Sequence, residues 1–442
     1  MKALIVPNTN DLNKGDQALV WESARMVEDT GLFEAVDLLG DEQDAGTTAQ
    51  SACRGYRFLS PYLLHPSRKR KEEAGVLSVY SKILWIKNGL YDFLSSLWML
   101  FLARFPHTWR WLLSHRARNF LKEFSSYDLI AVKGGGFIHA YGEFYAPYLM
   151  WYFLFYLRLG IRCKKKVVFL PNSFGPFRGL TVASQVRSTL KKTDLVYTRE
   201  STSTRQVEDL MKYKIPQYPD LGFYLRTTPQ DEEQADALLR QYGVQPDDKM
   251  VTLTLRPWRF PDMDRIAAAV RYKEYQSALV QLIRTLDEWG YTPVLVNQAL
   301  GPGAHEDDSI AAEEVYQQVS LQCRVIWINE DLPSPVLKCL YSRAQFIVGT
   351  RFHSVIFSLS TGVPAIAIGY GGNKAIGIMH DFGLDRYVIP INAVTYSWLE
   401  EACRSLISDR DQLSQTVKEH YEGLLAKRGR MMLDIKELYS IH

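Results

Sequence analysis

The residues best able to do chemistry lie in GTRFHSVIFSLSTGVPAIAIGYGGNKAIGIMHDFGL, positions 349–384. An apolar run, FIVG, ends on a glycine. Arg351 and His353 follow at the opening of VIFSLSTG, whose residues are apolar or small, the pattern of a strand turning into a buried helix. The first N–H groups of a helix lack intrahelical acceptors and carry partial positive charge. An arginine and a histidine at that end therefore form a site for an anion such as phosphate or carboxylate. Cations there cost stability, and a local rule broken this way is expected where function requires it. The structural alternative is a histidine that caps a loop. The next run, PAIAIGYGG, brings Asn373 and Lys374 to the same edge, within reach of a neighbouring anion.

Other clusters have two readings each. Gly134, Gly135 and Gly136 would let backbone approach a ligand closely, or make a tight turn. Asp16 stands where a helix begins, as an ordinary N-terminal carboxylate or a ligand contact. Arg256, after the run MVTLTL, would meet acceptor phosphate or sugar, or join an ion pair. Asn172 and Ser173 would hydrogen-bond sugar hydroxyls, or simply end a strand.

These residues need elements to place them. In the first half, short apolar runs (ALIVP, DLIAV, KVVFLPNSFG, DLVYT) alternate with stretches of helical spacing, which predicts βαβ units and a parallel sheet. A polar, acidic stretch at 224–250 interrupts the pattern. It restarts with MVTLT, TPVLV, RVIWI, QFIVG and PAIAIG. The expected fold is α/β, with two Rossmann-like domains facing across a cleft, over 1–235 and 236–442. Ligands of such sheets bind beyond the carboxyl ends of the strands, where most of the polar clusters fall.

Composition narrows the function. Hydrophobic residues make up 47% and charged residues 23%, which suits a folded chain, and a net charge of +3 gives no support to nucleic-acid binding. Five scattered cysteines suit neither a disulfide framework nor a zinc knuckle, and no metal-ligand spacing appears. A cytoplasmic protein is expected, beginning at its first strand, because MKALIVPNTNDLNKGD turns polar too soon for a signal-peptide core.

Taken in order, an N-terminal strand with Asn10 to Asp16 (N-x-x-x-x-GD), the GGG triplet, PNSFGPF, YTRESTS, YPDLGF, LRPW and the GTRFHS…GVPAIAIGYGGNK block resemble the polysaccharide pyruvyltransferase family. The resemblance runs over roughly 1–60, 120–225 and 250–390. It implies a GT-B-like pair of domains, phosphoenolpyruvate as donor substrate with no cofactor, and a saccharide acceptor. The family's donor-contacting arginine, histidine and lysine fall on Arg199, His353 and Lys374. Phosphoenolpyruvate is a small trianion that needs several converging cations. Proton delivery to its methylene carbon, for which His353 is the natural donor, makes C2 electrophilic. A sugar hydroxyl adds, phosphate leaves, and a second hydroxyl closes a pyruvate ketal. Arg199, Arg351 and Lys374 would hold carboxylate and phosphate.

The chain departs from the simplest family pattern in an aromatic insertion, 67–118, and above all in 76–113. Lys82, Lys87, Asp92, Arg104 and Arg110 interrupt it before the roughly 20 apolar residues a membrane span needs. Amphipathic helices lying in a membrane surface, which would suit a polyprenyl-phosphate-linked acceptor and a peripheral location, are one expectation. A helical hairpin packed on the domain is the other. Two rival functions remain: a sugar-nucleotide glycosyltransferase, which would want an acidic ribose-binding residue where this block offers Arg, His and Lys, and a non-catalytic membrane-associated module of an assembly complex, which would need no proton donor.

Overall fold

The computed structural model describes residues 1–7, 9–41, 45–63, 65, 79–105, 109–371 and 374–440. The chain divides into two compact units. One holds Met1–Thr9, Ser23–Asp220 and the chain from Arg430, and the other holds Asn10–Glu22 and Leu221–Gly429. Helix α1 (Lys14–Glu28) is divided between them.

The first unit is built on strands β1 (Lys2–Val6), β2 (Ala35–Leu39), β3 (Phe58–Leu59), β4 (Leu129–Val132), β5 (Gly135–Tyr141), β6 (Lys166–Arg178) and β7 (Leu195–Thr198). All pairings are parallel, in the order β3-β2-β1-β4-β6-β5, with β7 also on β6. Both β1 and β4 are continuous apolar runs because helices cover both faces. The first half of β6 pairs with β4 (Leu129 opposite Lys166), and its second half pairs with β5 (Gly135 opposite Asn172). Strand β5 thus prolongs the line of β4 past the glycine triplet. The helices are α2 (Ala45–Cys53), α3 (Val79–Leu102), α4 (Trp109–Leu112), α5 (His115–Phe124), α6 (Ala146–Arg162), α7 (Val182–Leu190) and α8 (Ser201–Met211). The aromatic insertion contributes α3, α4 and the start of α5. One face of α3 packs on α6: Trp151 Nε1 donates to Ser96 Oγ at 2.9 Å, Tyr148 donates to Asp92, and the rings of Phe93 and Trp151 lie 4.6 Å apart. Among the described residues no helix is long and apolar enough to cross a membrane.

The second unit carries β8 (Met250–Thr254), β9 (Thr292–Val296), β10 (Ile326–Ile328), β11 (Phe346–Gly349), β12 (Ala365–Gly369) and β13 (Val388–Pro390), paired in parallel in the order β10-β9-β8-β11-β12-β13. This is the doubly wound order, and chain direction across the sheet reverses between β8 and β11. Its helices are α9 (Pro229–Gln241), α10 (Arg265–Glu288), α11 (Asp308–Val319), α12 (Ser334–Ser342), α13 (Phe352–Leu359), α14 (Lys374–Asp381) and α15 (Tyr396–Glu437), whose last turns belong to the first unit.

The boundary expected at 235/236 lies inside α9, and the units divide instead after Asp220. The capping box of Thr228 and Asp231 marks where α9 begins, within the polar stretch at 224–250. Asn10–Glu22, expected in the first domain, is built into the second unit. Asn13 bridges Ala299, the buried Lys14 ammonium pairs with Asp331, and Ser334 donates through N and Oγ to Gln17 Oε1 at 2.8 and 2.6 Å.

Candidate active site

The point of strand-order reversal in the second unit is where side chains gather. Strands β8 and β11 end together, Thr254 opposite Gly349. Their continuations are pinned side by side: Thr350 N donates to Thr254 O at 3.0 Å, Thr254 Oγ1 and Ser354 Oγ lie 2.8 Å apart, and the Tyr275 hydroxyl is 2.9 Å from Thr350 Oγ1. Arg256 follows β8 here, and Arg351 and His353 follow β11.

Arg351 is the N-cap residue of α13 and His353 its second residue, as the strand–glycine–helix pattern predicts. Half-buried His353 lies against Phe352 and Phe357, with ring centroids 5.4 and 6.3 Å away. Its other neighbour is Gly15, where a Cβ would come within 2.0 Å of His353 Nδ1 and 2.4 Å of Cγ. Gly15 stands in the first turn of α1, where Asn13 Oδ1 accepts from Gly15 N (3.1 Å) and Asp16 N (3.3 Å). Two helix openings, α1 and α13, therefore meet at the imidazole. Asp16 sits in that first turn, where a carboxylate favours the helix dipole.

Arg351 differs from expectation. Its Nε donates to Asp308 Oδ1 at 2.7 Å and its Nη2 to the Glu306 carbonyl at 2.7 Å. Asp308 in turn accepts from Gln298 N and Ala299 N at 3.0 and 2.9 Å. Burial pulls the guanidinium pKa down, but Asp308 and the Tyr370 hydroxyl outweigh that, so it lies above the usual arginine value. A guanidinium with 6% of its side chain exposed needs such a counter-ion, and this pairing takes Arg351 from free anion gripping toward anchoring the start of α13.

Arg256 is held otherwise. Its guanidinium lies 4.0 Å from the ring centre of Tyr370 and 4.9 Å from that of Trp258, a stacked slot that planar, weakly hydrated arginine suits. Burial lowers its pKa, with the Tyr370 hydroxyl and the charge of Asp308 opposing the fall and the positive charge of Arg351 adding to it. No carboxylate lies within ion-pair distance of it among the described residues. An incoming anion would relieve a buried cation in this state.

The first unit holds Arg199, Asn172, Ser173 and the glycine triplet, while Asn373 and Lys374 belong to the second. Arg199, just past β7, donates from Nε to Ser173 Oγ at 2.7 Å and from Nη1 to buried Asp220, and Ser173 donates to Glu200 at 2.9 Å. Arg199 is therefore locked in a local network, with Ser173 as part of it. Asn172 is fully buried, its Nδ2 donating to the Lys133 and Leu170 carbonyls at 2.8 Å, which ties β6 to the end of β4. Gly134 N donates to Ser23 Oγ, and Gly135 and Gly136 open β5, so the triplet is extended backbone between two strands and makes no tight turn. Lys374 opens α14; its side chain, like the whole of Asn373, lies outside the described residues.

The model of the family described as polysaccharide pyruvyl transferase matches residues 13–372. The chain belongs to that family. Membership makes it a transferase of polysaccharide biosynthesis. Among curated relatives, the amylovoran biosynthesis protein AmsJ of Erwinia amylovora is 23% identical over 308 residues, 69% of this chain and 71% of AmsJ. Solved structures share the fold at low identity. The UDP-GlcNAc 2-epimerase of Neisseria meningitidis bound to UDP-GlcNAc matches with a TM-score of 0.58 at 10% identity, covering 99% of this chain and 100% of that one. A glycosyltransferase of Rickettsia africae matches with a TM-score of 0.53 at 12% identity, covering 98% of each. The fold class is thus the GT-B-like one expected.

The structure adds residues to this candidate site that sequence reasoning missed. Gly15 seats the histidine, Asp308 neutralises Arg351, and Tyr370 and Trp258 stack on Arg256. Gly15 had a signal, the GD pair of the family's first motif. Asp308 had none, since it lies 43 positions from its partner.

Proposed function

We propose that this transferase moves the enolpyruvyl carbons of phosphoenolpyruvate onto two hydroxyls of one saccharide, forming a pyruvate ketal. The observation that supports the reading is that His353, seated on Gly15 where two helices open, and Arg256, a buried cation stacked on Tyr370 and Trp258, follow the neighbouring strands β11 and β8 at the reversal point of the second sheet. A proton donor and an anion-seeking guanidinium at one sheet edge are what an enol phosphate requires.

His353 gives its proton to the methylene carbon, which becomes the methyl group, and positive charge develops at C2. One sugar hydroxyl adds there, the C2–O bond to phosphate breaks, and the second hydroxyl closes the ketal. Of the two hydroxyl protons, one restores His353 and the other leaves with phosphate. Arg256 faces carboxylate or phosphate, while Arg351 holds α13 and contributes positive field. Arg199 and Lys374 enter through the family pattern. We further propose that the acceptor is borne on a polyprenyl phosphate and that the protein works as a peripheral protein at a membrane surface, for which the aromatic insertion is the support.

The test is phosphate release from phosphoenolpyruvate with a lipid-linked oligosaccharide, a free oligosaccharide, or neither. Release that depends on acceptor, and falls about 10²–10⁴-fold in His353→Asn, is expected. Activity with a sugar nucleotide and none with phosphoenolpyruvate would overturn the reading.

A further inference from the structure

Helix α3 has two apolar faces. The inner one packs on α6, with Ser96, Met99, Leu100 and Leu102 buried. The outer one carries Ile86, Leu90, Leu94, Leu97 and Phe101, at spacings of four, four, three and four, all exposed. Beside it Tyr91 is 70% exposed and, on α4, Trp111 is 86% exposed. Helices at a water-facing surface put polar residues on such a face, and an apolar stripe of this length marks an interaction site.

What the stripe meets is indicated by the groove next to it. An open groove of about 700 Å³ runs between the C-terminal half of α3, α6 and α7. Arg104, Arg158, Arg162, Lys164 and Lys192 line it, with no acidic residue among the lining side chains. Four of these cations stand at or just past helix ends, where the dipole favours positive charge and no ligand is needed to explain them. Arg158 is different, a full turn inside α6. Its Nε donates to Thr189 Oγ1 at 3.0 Å, its Nη2 to Gln185 O and Oε1 at 3.3 Å, and its guanidinium lies 4.7 Å from the ring centre of Trp151. All these partners are neutral, and among the described residues no carboxylate pairs with it. Burial alone lowers its pKa, to about 10. A largely buried guanidinium stacked on an indole, without counter-ion, in a wholly basic groove, is set up for an anion supplied from outside.

We propose that the outer face of α3 docks in the headgroup zone of an anionic bilayer, and that a phospholipid phosphate enters the groove and pairs with Arg158. A membrane offers both components together, an apolar layer for the stripe and a lattice of phosphates for the groove. The proposal rests on the peripheral location proposed above and adds to it a defined phosphate seat.

The test is co-sedimentation of the full chain with vesicles of phosphatidylcholine, alone or mixed with phosphatidylglycerol. Binding to the mixed vesicles is expected, with weaker binding to phosphatidylcholine alone. Arg158→Gln lowers the partition coefficient about fivefold, the factor that corresponds to roughly 1 kcal/mol per basic residue near the surface, and Leu94→Glu with Phe101→Glu abolishes binding to both. Wild-type protein that binds no vesicle overturns the location and the seat together. Folded Arg158→Gln that partitions like wild type overturns the seat and leaves the location standing. Should Arg158→Gln fail to fold, the changes Lys192→Gln at an exposed site and Arg162→Gln at a half-buried one decide, and unchanged partition of both overturns the seat. A dimer that Leu94→Glu dissociates also overturns it, since the stripe would then be covered by a second copy. Phosphate release from phosphoenolpyruvate with a free oligosaccharide reads the chemistry separately from all of these.

Discussion

At the scale of single residues, Gly15 is held by a steric demand from a residue far away in the chain. It stands in an ordinary helical turn, and what it lacks is a Cβ that would collide with the His353 ring. Gly15→Ala must move the imidazole, and a misplacement of about 1 Å costs on the order of 10²-fold in rate. We expect kcat to fall by about that factor with thermal stability little changed, measured by phosphate release alongside a melting curve. Arg256 makes the complementary prediction for binding. Losing one charge-assisted contact costs about 1.5–3 kcal/mol, so Arg256→Gln should raise KM for phosphoenolpyruvate roughly ten- to a hundredfold, and more than kcat falls. Arg351 and His353 were legible because a strand, a glycine and a helix placed them locally. The roles of Arg351 and Arg199 were not, since a side chain's partner is a tertiary fact. Asp308 and Asp220 give the two arginines buried partners that no spacing in the sequence announces.

At the scale of elements, the buried apolar runs announced nine of the thirteen described strands, because parallel strands covered on both faces leave a continuous signal, while β2 (Ala35–Leu39), β3, β5 and β13 went unread. The run at β6 was read only to Gly175, yet the strand continues to Arg178 and pairs with β5. Pro171 and Pro176 made that extension look like a turn, and the glycine triplet disguised its partner. Short β3 and β13, of two and three residues, carry too few residues to show a period. The junction of α11 with α13 depends on the Asp308–Arg351 pair. Asp308→Asn leaves a buried guanidinium without its counter-ion and weakens the acceptor for Gln298 N and Ala299 N. Breaking a buried pair this way costs about 3–5 kcal/mol, so the urea midpoint should drop markedly, and donor KM should rise because the start of α13 loosens. An unchanged midpoint would mean the pair contributes nothing to holding the site.

At the scale of the whole molecule, the domain plan read from composition missed that neither unit is contiguous. A polar stretch marks where the chain is soluble, while membership of a unit is decided by long-range packing, which periodicity does not record. The chain passes between the units at four points, two of them within the helices α1 and α15. Close to both helical crossings lies a buried ion pair, with Arg428 Nε donating to Glu22 Oε1 at 2.9 Å and the two side chains 11% and 1% exposed. Because the crossings in α1 and α15 are continuous helix, melting one unit strips hydrogen bonds from helix turns of the other, which couples their unfolding. Glu22→Gln removes the charge that offsets Arg428, at a cost of about 3 kcal/mol or more. If the crossings couple the units, the loss loosens the join as well as lowering stability. Urea unfolding followed by tryptophan fluorescence and far-UV circular dichroism should then give coincident curves for the wild type. The variant's curves should begin earlier and separate by probe. Curves that shift but stay coincident would place the pair's effect inside the second unit alone.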